Sequence, residues 1–199
     1  GAYSPTPILS KEELSKICKE IIEPTIDELI KRNIEYRGVL YFGLMITKSG
    51  PKVIEYNCRF GDPECQTIMP LMDTNFVNIL YKCAIGNLNG DEKLLSSTKV
   101  SGCVIAASKG YPEDYDVGFP IIINNNECEN IQIFHSGTLI NKEGETITDG
   151  GRVLSVVCQG EDFDIAFNRV YKVLKDINFN GIYYRRDIGH QVRKNYKEF

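Results

Sequence analysis

The chain has 199 residues, 42% of them hydrophobic and 25% charged, with a formal net charge of −4. That is enough sequence for one large domain or two small ones with a real core, and the composition is that of a globular protein. The acidic balance leaves no basic footprint for nucleic acid, no apolar run reaches membrane-spanning length, and no secretory h-region opens the sequence.

The first element is "SKEELSKICKEIIEPTIDELIKRN", read as a helix from about residue 10 to 32. Ser10 and Glu13 have capping-box spacing, and Leu14, Ile17, Ile21, Ile22, Ile26, Leu29 and Ile30 recur at helical intervals. Pro24 lies inside this run and is expected to kink or split the helix. "GVLYFGLMI" (38–46) has no polar side chain on either face and predicts a strand buried on both sides. After the turn "TKSGP", "KVIEYNC" (52–58) returns as the second strand of a hairpin.

Beyond the Gly61-Asp62-Pro63-Glu64 turn, "ECQTIMPLMDTNFVNILYKCAIG" predicts one or two helices broken near Pro70 and Asp73. The polar stretch 87–98 marks an expected domain boundary, giving domains 1–90 and 98–199. The second domain reads as a small β-rich unit of short β-branched segments. It also holds one helix over 161–177, with Phe163, Ala166, Phe167, Val170, Val173 and Leu174 as its apolar stripe. "NNNECEN" (124–130) predicts a mobile surface loop. The fold class is therefore α+β.

Cysteines stand at 18, 58, 65, 83, 103, 128 and 158, an odd count with no CxxC pair, and the histidines are His135 and His190 alone. This is no framework for structural zinc or disulfides, and it fits a reduced, cytoplasmic protein. The start at Gly1 rather than methionine points to a fragment or a processed form.

Residues 53–66, "VIEYNCRFGDPECQ", carry the chemistry. Strand alternation sets Glu55, Asn57 and Arg59 on one face and Ile54, Tyr56 and Cys58 on the other. A strand with one wet face would account for this. A hairpin whose neighbouring strand is apolar throughout argues instead for a covered cleft, where a carboxylate needs a partner. An acid and an amide two residues apart offer oxygens to a hard cation such as Mg2+. Asp62 suits a helix cap, Pro63 the first helical position and Glu64 the positive end of the helix dipole. Arg59 has no local structural role and suits a carboxylate or phosphate. A metal site, a cation and a helix start fit phosphoryl transfer on an anionic substrate.

"YRGVLYFGLMITKSGPKVIEYNCRFGDPECQ" closely resembles the phosphoribosylamine–glycine ligase (glycinamide ribonucleotide synthetase) family of the ATP-grasp superfamily. "GAYSPTP", "IIEPTIDEL", "AASKGYPEDY", "IFHSGT", "GGRVLSVV" and "YYRRDIG" extend the likeness nearly end to end. The resemblance implies residues 1–90 as the C-terminal portion of an ATP-grasp domain and 98–199 as the family's C-terminal domain. It implies an ATP-dependent carbon–nitrogen ligase of purine biosynthesis, with glycine and 5-phosphoribosylamine as substrates and glycyl phosphate as intermediate. Glu55 and Asn57 then hold Mg2+ or Mn2+ on ATP, while Arg59 and Asp62 face the substrate. Asp62 either binds the glycine amine or only holds the turn.

Ser136, Thr138 and Arg152, with a nest of backbone amides, and Arg185 are candidates for the ribose phosphate. Two hairpin turns, and a structural Arg185–Asp187 pair, are the plainer readings of those segments. His135 is left out of the catalytic set. No glycine-rich phosphate loop occurs in these residues. The chain therefore reads as the C-terminal half of the enzyme, inactive by itself and dependent on the missing N-terminal half. A non-catalytic phosphate- or partner-binding module, or an ATP-grasp ligase for another acid, are the alternatives.

Overall fold

The computed structural model describes residues 1–72, 75–90, 98–124 and 130–195. In chain order its elements are β1 (Ala2–Ser4), α1 (Lys11–Ile17), α2 (Glu23–Lys31), β2 (Tyr41–Thr47), β3 (Gly50–Asn57), α3 (Glu64–Ile68) and α4 (Phe76–Ala84). There follow β4 (Val100–Ser108), β5 (Ile122–Ile123), β6 (Ile131–His135), β7 (Thr138–Ile140), β8 (Thr146–Thr148) and β9 (Arg152–Gly160). The last are α5 (Phe163–Leu174), β10 (Ile177–Asn178) and β11 (Ile182–Tyr183). All paired strands are antiparallel, and the fold is α+β.

Packing divides the chain into two units that interleave along the sequence. One comprises Gly1–Pro5, Pro63–Leu71 and Ser96–Phe199; the other comprises Thr6–Asp62 and Met72–Leu95. Packed units and chain segments thus do not coincide, because β1 pairs with β4 and α3 packs against β1, β4 and β9. The stretch 91–97, inside the expected boundary, lies outside the described residues, as do 125–129 of the expected loop with Cys128, and Asp73 with Thr74.

The larger unit is built on the pair β4–β9, which runs from Val100 opposite Gly160 to Ala107 opposite Arg152. β6 flanks β9, while β1 and β11 both pair with β4, near its start and its end. α5 lies on one face. Its N-cap Asp162 accepts from the Ile165 amide, and Ala166, Phe167, Val170, Val173 and Leu174 form its buried stripe, as the sequence spacing requires. Val104, Ala106, Leu154, Val156 and Cys158 meet that stripe. Gly102 leaves room for Phe167, whose ring carbons would lie 3.0 Å from a Cβ there. The opposite face meets the 3-10 turn Met69–Leu71, where Gln159 donates to the Pro70 carbonyl. With a layer on each face, both central strands are almost wholly buried.

In the smaller unit the expected helix is interrupted. Ser10 caps α1 in a full capping box: its hydroxyl accepts from the Glu13 amide, and Glu13 accepts from the Ser10 amide. Those bonds hold the Glu13 carboxyl below its ordinary value. Pro24 breaks the run as expected, but the break takes the form of a π-helical turn over Cys18–Ile22, with Pro24 in the first turn of α2. The break near Pro70 is also present, between α3 and α4.

The hairpin forms with Thr47 opposite Gly50. Its first strand, however, is not buried on both faces. Met45 and Ile46 are exposed, as are Val53, Ile54 and Tyr56 on β3. α2 covers one side only, where Ile21, Pro24 and Leu29 form a groove with Val53 and Tyr56. An apolar sequence is buried twice only where a layer lies on each face.

Truncating Phe167 to alanine removes the centre of the larger unit. The expected cost is about 3–5 kcal/mol, read as a lowered urea midpoint for the transition of that unit.

Candidate active site

β3 positions the acid and the amide. Asn57 Nδ2 donates to Glu55 Oε1 at 2.9 Å, so the two side chains share a face as alternation requires. A β-bulge sharpens this arrangement: Gly43 pairs with Glu55, but the next residue, Leu44, pairs with Val53. The bulge breaks strict alternation, and Val53 rather than Ile54 joins Tyr56 on the groove side. Tyr56 is fixed there by an edge-on contact with Phe42, ring centroids 5.2 Å apart, and lies 3.5 Å from the Thr25 hydroxyl.

Gly43 is the residue that sequence reading missed. A Cβ at Gly43 would lie 2.8 Å from Glu55 Cγ, so its absence lets Glu55 lie across β2. A glycine in an apolar strand opposite a carboxylate is the signal, but it becomes visible only with the register known. Within residues 1–199 Glu55 is exposed.

In the loop after β3, Pro63 stands in the N-cap position of α3 and its own side chain makes no cap bond; Asp62 is exposed. Glu64 does open α3, at the positive end of its dipole. Arg59 is exposed, and its Nη1 donates to the Phe60 carbonyl at 2.7 Å.

The other candidates gather within the larger unit. Ala107 of β4 pairs with Arg152 of β9 on one side and Tyr183 of β11 on the other, which draws the Arg152 and Arg185 segments together. Arg185, Glu64 and Arg152 all lie near Gly1. Ser136–Thr138 borders Arg152, because the Gly137 amide donates to the Arg152 carbonyl at 2.8 Å.

The expected amide nest is absent from this loop. The Ser136, Gly137 and Thr138 amides donate to the carbonyls of Val153, Arg152 and Ser136. The loop extends the β6–β9 ladder, which leaves the hydroxyls and Arg152 as its binding groups. Thr138 Oγ1 lies 3.1 Å from His135 Nδ1.

Arg185 grips Asp187 with two bonds, Nε to Oδ1 at 2.9 Å and Nη2 to Oδ2 at 2.6 Å. That grip holds the Asp187 carboxyl down at about 2 and raises the Arg185 guanidinium. Tyr171, which reads as part of α5, steadies this segment: its hydroxyl donates to the Arg185 carbonyl and accepts from the Ile188 amide, both at 3.1 Å.

Two family models match the chain: "Phosphoribosylglycinamide synthetase, ATP-grasp (A) domain" over residues 1–65 and "Phosphoribosylglycinamide synthetase, C domain" over residues 101–191. The chain belongs to the phosphoribosylamine–glycine ligase family. A member from Synechocystis is 44% identical over 194 residues, covering 96% of this chain and 46% of that protein. The trifunctional purine biosynthetic protein adenosine-3 of Gallus gallus is 42% identical, covering 96% of this chain and 19% of the relative. The crystal structure of phosphoribosylamine–glycine ligase from Thermotoga maritima superposes with a TM-score of 0.79 at 31% identity, covering 93% of this chain and 45% of that one. The chain thus spans about half the length of the monofunctional relatives it matches.

The Arg185–Asp187 grip is testable by its titration. In the folded protein the Asp187 carboxyl is expected to titrate at about 2, below its ordinary 3.8. A depressed carboxylate contributes stability above its unfolded pKa and loses it as pH falls through the folded one, here over the window from 3.8 down to about 2. Arg185→Gln should return the carboxyl toward 3.8 in a carbon-detected NMR titration; an unchanged midpoint would show that another group depresses it.

Proposed function

We propose that the protein carrying these residues ligates glycine to 5-phosphoribosylamine at the expense of ATP. Glycine is phosphorylated on its carboxylate to glycyl phosphate. The phosphoribosylamine nitrogen then attacks the acyl carbon. A C–N bond forms, the C–O bond to phosphate breaks, the amine gives up a proton, and glycinamide ribonucleotide, ADP and phosphate result. The names of the curated relatives support this reaction, and so do the matched family models. The structural observation that carries it is the Asn57–Glu55 contact on the bulged hairpin, within the segment matched to the ATP-grasp domain.

In this reading 1–90 is the C-terminal portion of the ATP-grasp domain and 98–199 the C-terminal domain. Glu55 and Asn57 hold Mg2+ or Mn2+. The donor set fits: Asn57 uses its amide nitrogen on one Glu55 oxygen, and the second carboxylate oxygen and the amide oxygen are a pair of hard donors. Among the described residues no cluster of three or more His, Cys, Asp and Glu could hold a metal. Mg2+ takes few protein oxygens and fills its shell with water and phosphate. What such a cation supplies at this pair is charge neutralisation on the ATP phosphates.

Gly43 keeps Glu55 across the hairpin. Arg59 meets the glycine carboxylate or the acyl phosphate. Asp62 binds the glycine amine or shapes the turn. Ser136, Thr138, Arg152 and Arg185 hold the ribose phosphate, the Arg152 and Arg185 segments being brought together by pairing on β4. Among the described residues no helix is long and apolar enough to cross a membrane, and the reading places the enzyme in the cytoplasm with no membrane or nucleic-acid partner. Residues 1–199 depend on the remainder of the enzyme for activity.

In the full-length protein, ADP release should require both glycine and phosphoribosylamine. Glu55→Gln should lower turnover by about 10²–10³ with the fold intact. Residues 1–199 alone should release no such ADP. A wild-type enzyme without glycine-dependent ADP release would overturn the function; an undiminished Glu55→Gln enzyme would overturn the site.

A further inference from the structure

A second cluster of cations lies on the outer face of α5, beside the Arg185 segment that Tyr171 steadies. Asn168, Tyr171, Lys172 and Lys175 follow one another at helical intervals and form a single stripe opposite the buried one. The chain beyond β11 returns across this stripe with Tyr184, Arg186 and Arg193, and together these residues line a cavity of about 470 Å3. That volume is in the range of small-molecule sites, about 300–1,000 Å3.

Its lining carries Lys172, Lys175, Arg186 and Arg193 and no carboxylate. Lys172, Lys175 and Arg186 are exposed at its rim, and among the described residues none has an ion-pair partner. Arg193 is fixed. Its side chain is only 11% exposed, its guanidinium lies 5.8 and 5.7 Å from the ring centroids of Phe167 and Tyr171, and its Nη2 donates to Asn168 Oδ1 at 3.1 Å. Asp164 Oδ1 lies 3.9 Å from Arg193 Nε. Like charges gathered in a concavity repel one another, and in a chain of net charge −4 such a grouping does not follow from composition.

The cavity is distinct from the candidate active site. Tyr184 and Arg186 line it, whereas Arg185 between them pairs with Asp187 instead.

We infer that this cavity is an anion site for a small organic phosphate carrying a planar ring, the nucleoside phosphate class. Lys172, Lys175 and Arg186 receive the phosphate, beside Arg193, whose guanidinium is held by its ring contacts and its bond to Asn168. Tyr171 and Tyr184, with centroids 6.5 Å apart and planes at 40°, offer apolar faces to the ring. The cations ring one concavity rather than running along a stripe, which favours a small molecule over a polymer.

The test is calorimetric titration of the full-length protein with adenosine monophosphate and, separately, with inorganic pyrophosphate. The comparison is with the double variant Lys172→Gln/Lys175→Gln, whose side chains are exposed and outside the core. The expected result is saturable millimolar-or-tighter binding of adenosine monophosphate, weakened about tenfold or more in the double variant, with pyrophosphate weaker than the nucleotide. Nucleotide bound at the ligase site would be insensitive to these lysines, so unchanged binding in the double variant overturns the proposal. Absence of saturable binding overturns it as well, and pyrophosphate binding as tightly as the nucleotide overturns the assignment of a ring. Ligase turnover is not a readout here, so failure of this site leaves the proposed reaction untouched.

Discussion

The pairing of β4 with its neighbours is the constraint on which the larger unit rests. β4 holds β9 along one edge and both β1 and β11 along the other, so segments from the start, middle and end of the chain meet on one strand. Its two faces are covered in different ways. Gly102, Val104 and Ala106 meet the apolar stripe of α5, and Gly102 is needed because Phe167 stands against it. Long-range pairing of this kind cannot be reduced to local preference: β1 and β11 are only three and two residues long, and an isolated pair of strands does not persist in water. The same pairing draws the Arg152 and Arg185 segments to either side of Ala107. Packing and the gathering of cationic groups are thus two results of one arrangement.

The hairpin of the smaller unit works differently. It has one covered side, formed by α2 against Val53 and Tyr56, and large apolar side chains remain exposed on it. What orders its polar face is local: a bulge opposite Gly43, the missing Cβ there, and a hydrogen bond from Asn57 to Glu55. The bulge bends the strand and re-aims side chains at the place where the proposed metal ligands stand, a recurrent use of this irregularity next to active sites.

Much of the helical structure was legible in the residues. Ser10 with Glu13 specified a capping box, Pro24 and Pro70 marked breaks, and the 163–174 stripe named the buried face of α5. These features depend on contacts three or four residues apart, which a sequence displays directly. The misreadings share a cause. The apolar content of "GVLYFGLMI" predicts burial on both faces, but burial depends on the layers that pack on a strand. The amides of Ser136–Thr138 looked available, but strand register gave each one a carbonyl. The cation-lined cavity was equally illegible, since Lys172 and Arg186 are distant in sequence and meet only where the terminal segment crosses α5.

By itself the sequence determined the family, the helix boundaries set by caps and prolines, and the Glu55–Asn57 face, because each is written in short-range spacing or in ordered motifs. Only the tertiary structure decided which apolar strands are covered, which amides are satisfied, that Glu55 needs Gly43 opposite it, and that Arg152 and Arg185 flank one strand. The physical reason is that burial, hydrogen-bond satisfaction and register are properties of what lies across from a residue. In this chain that partner is usually dozens of positions away.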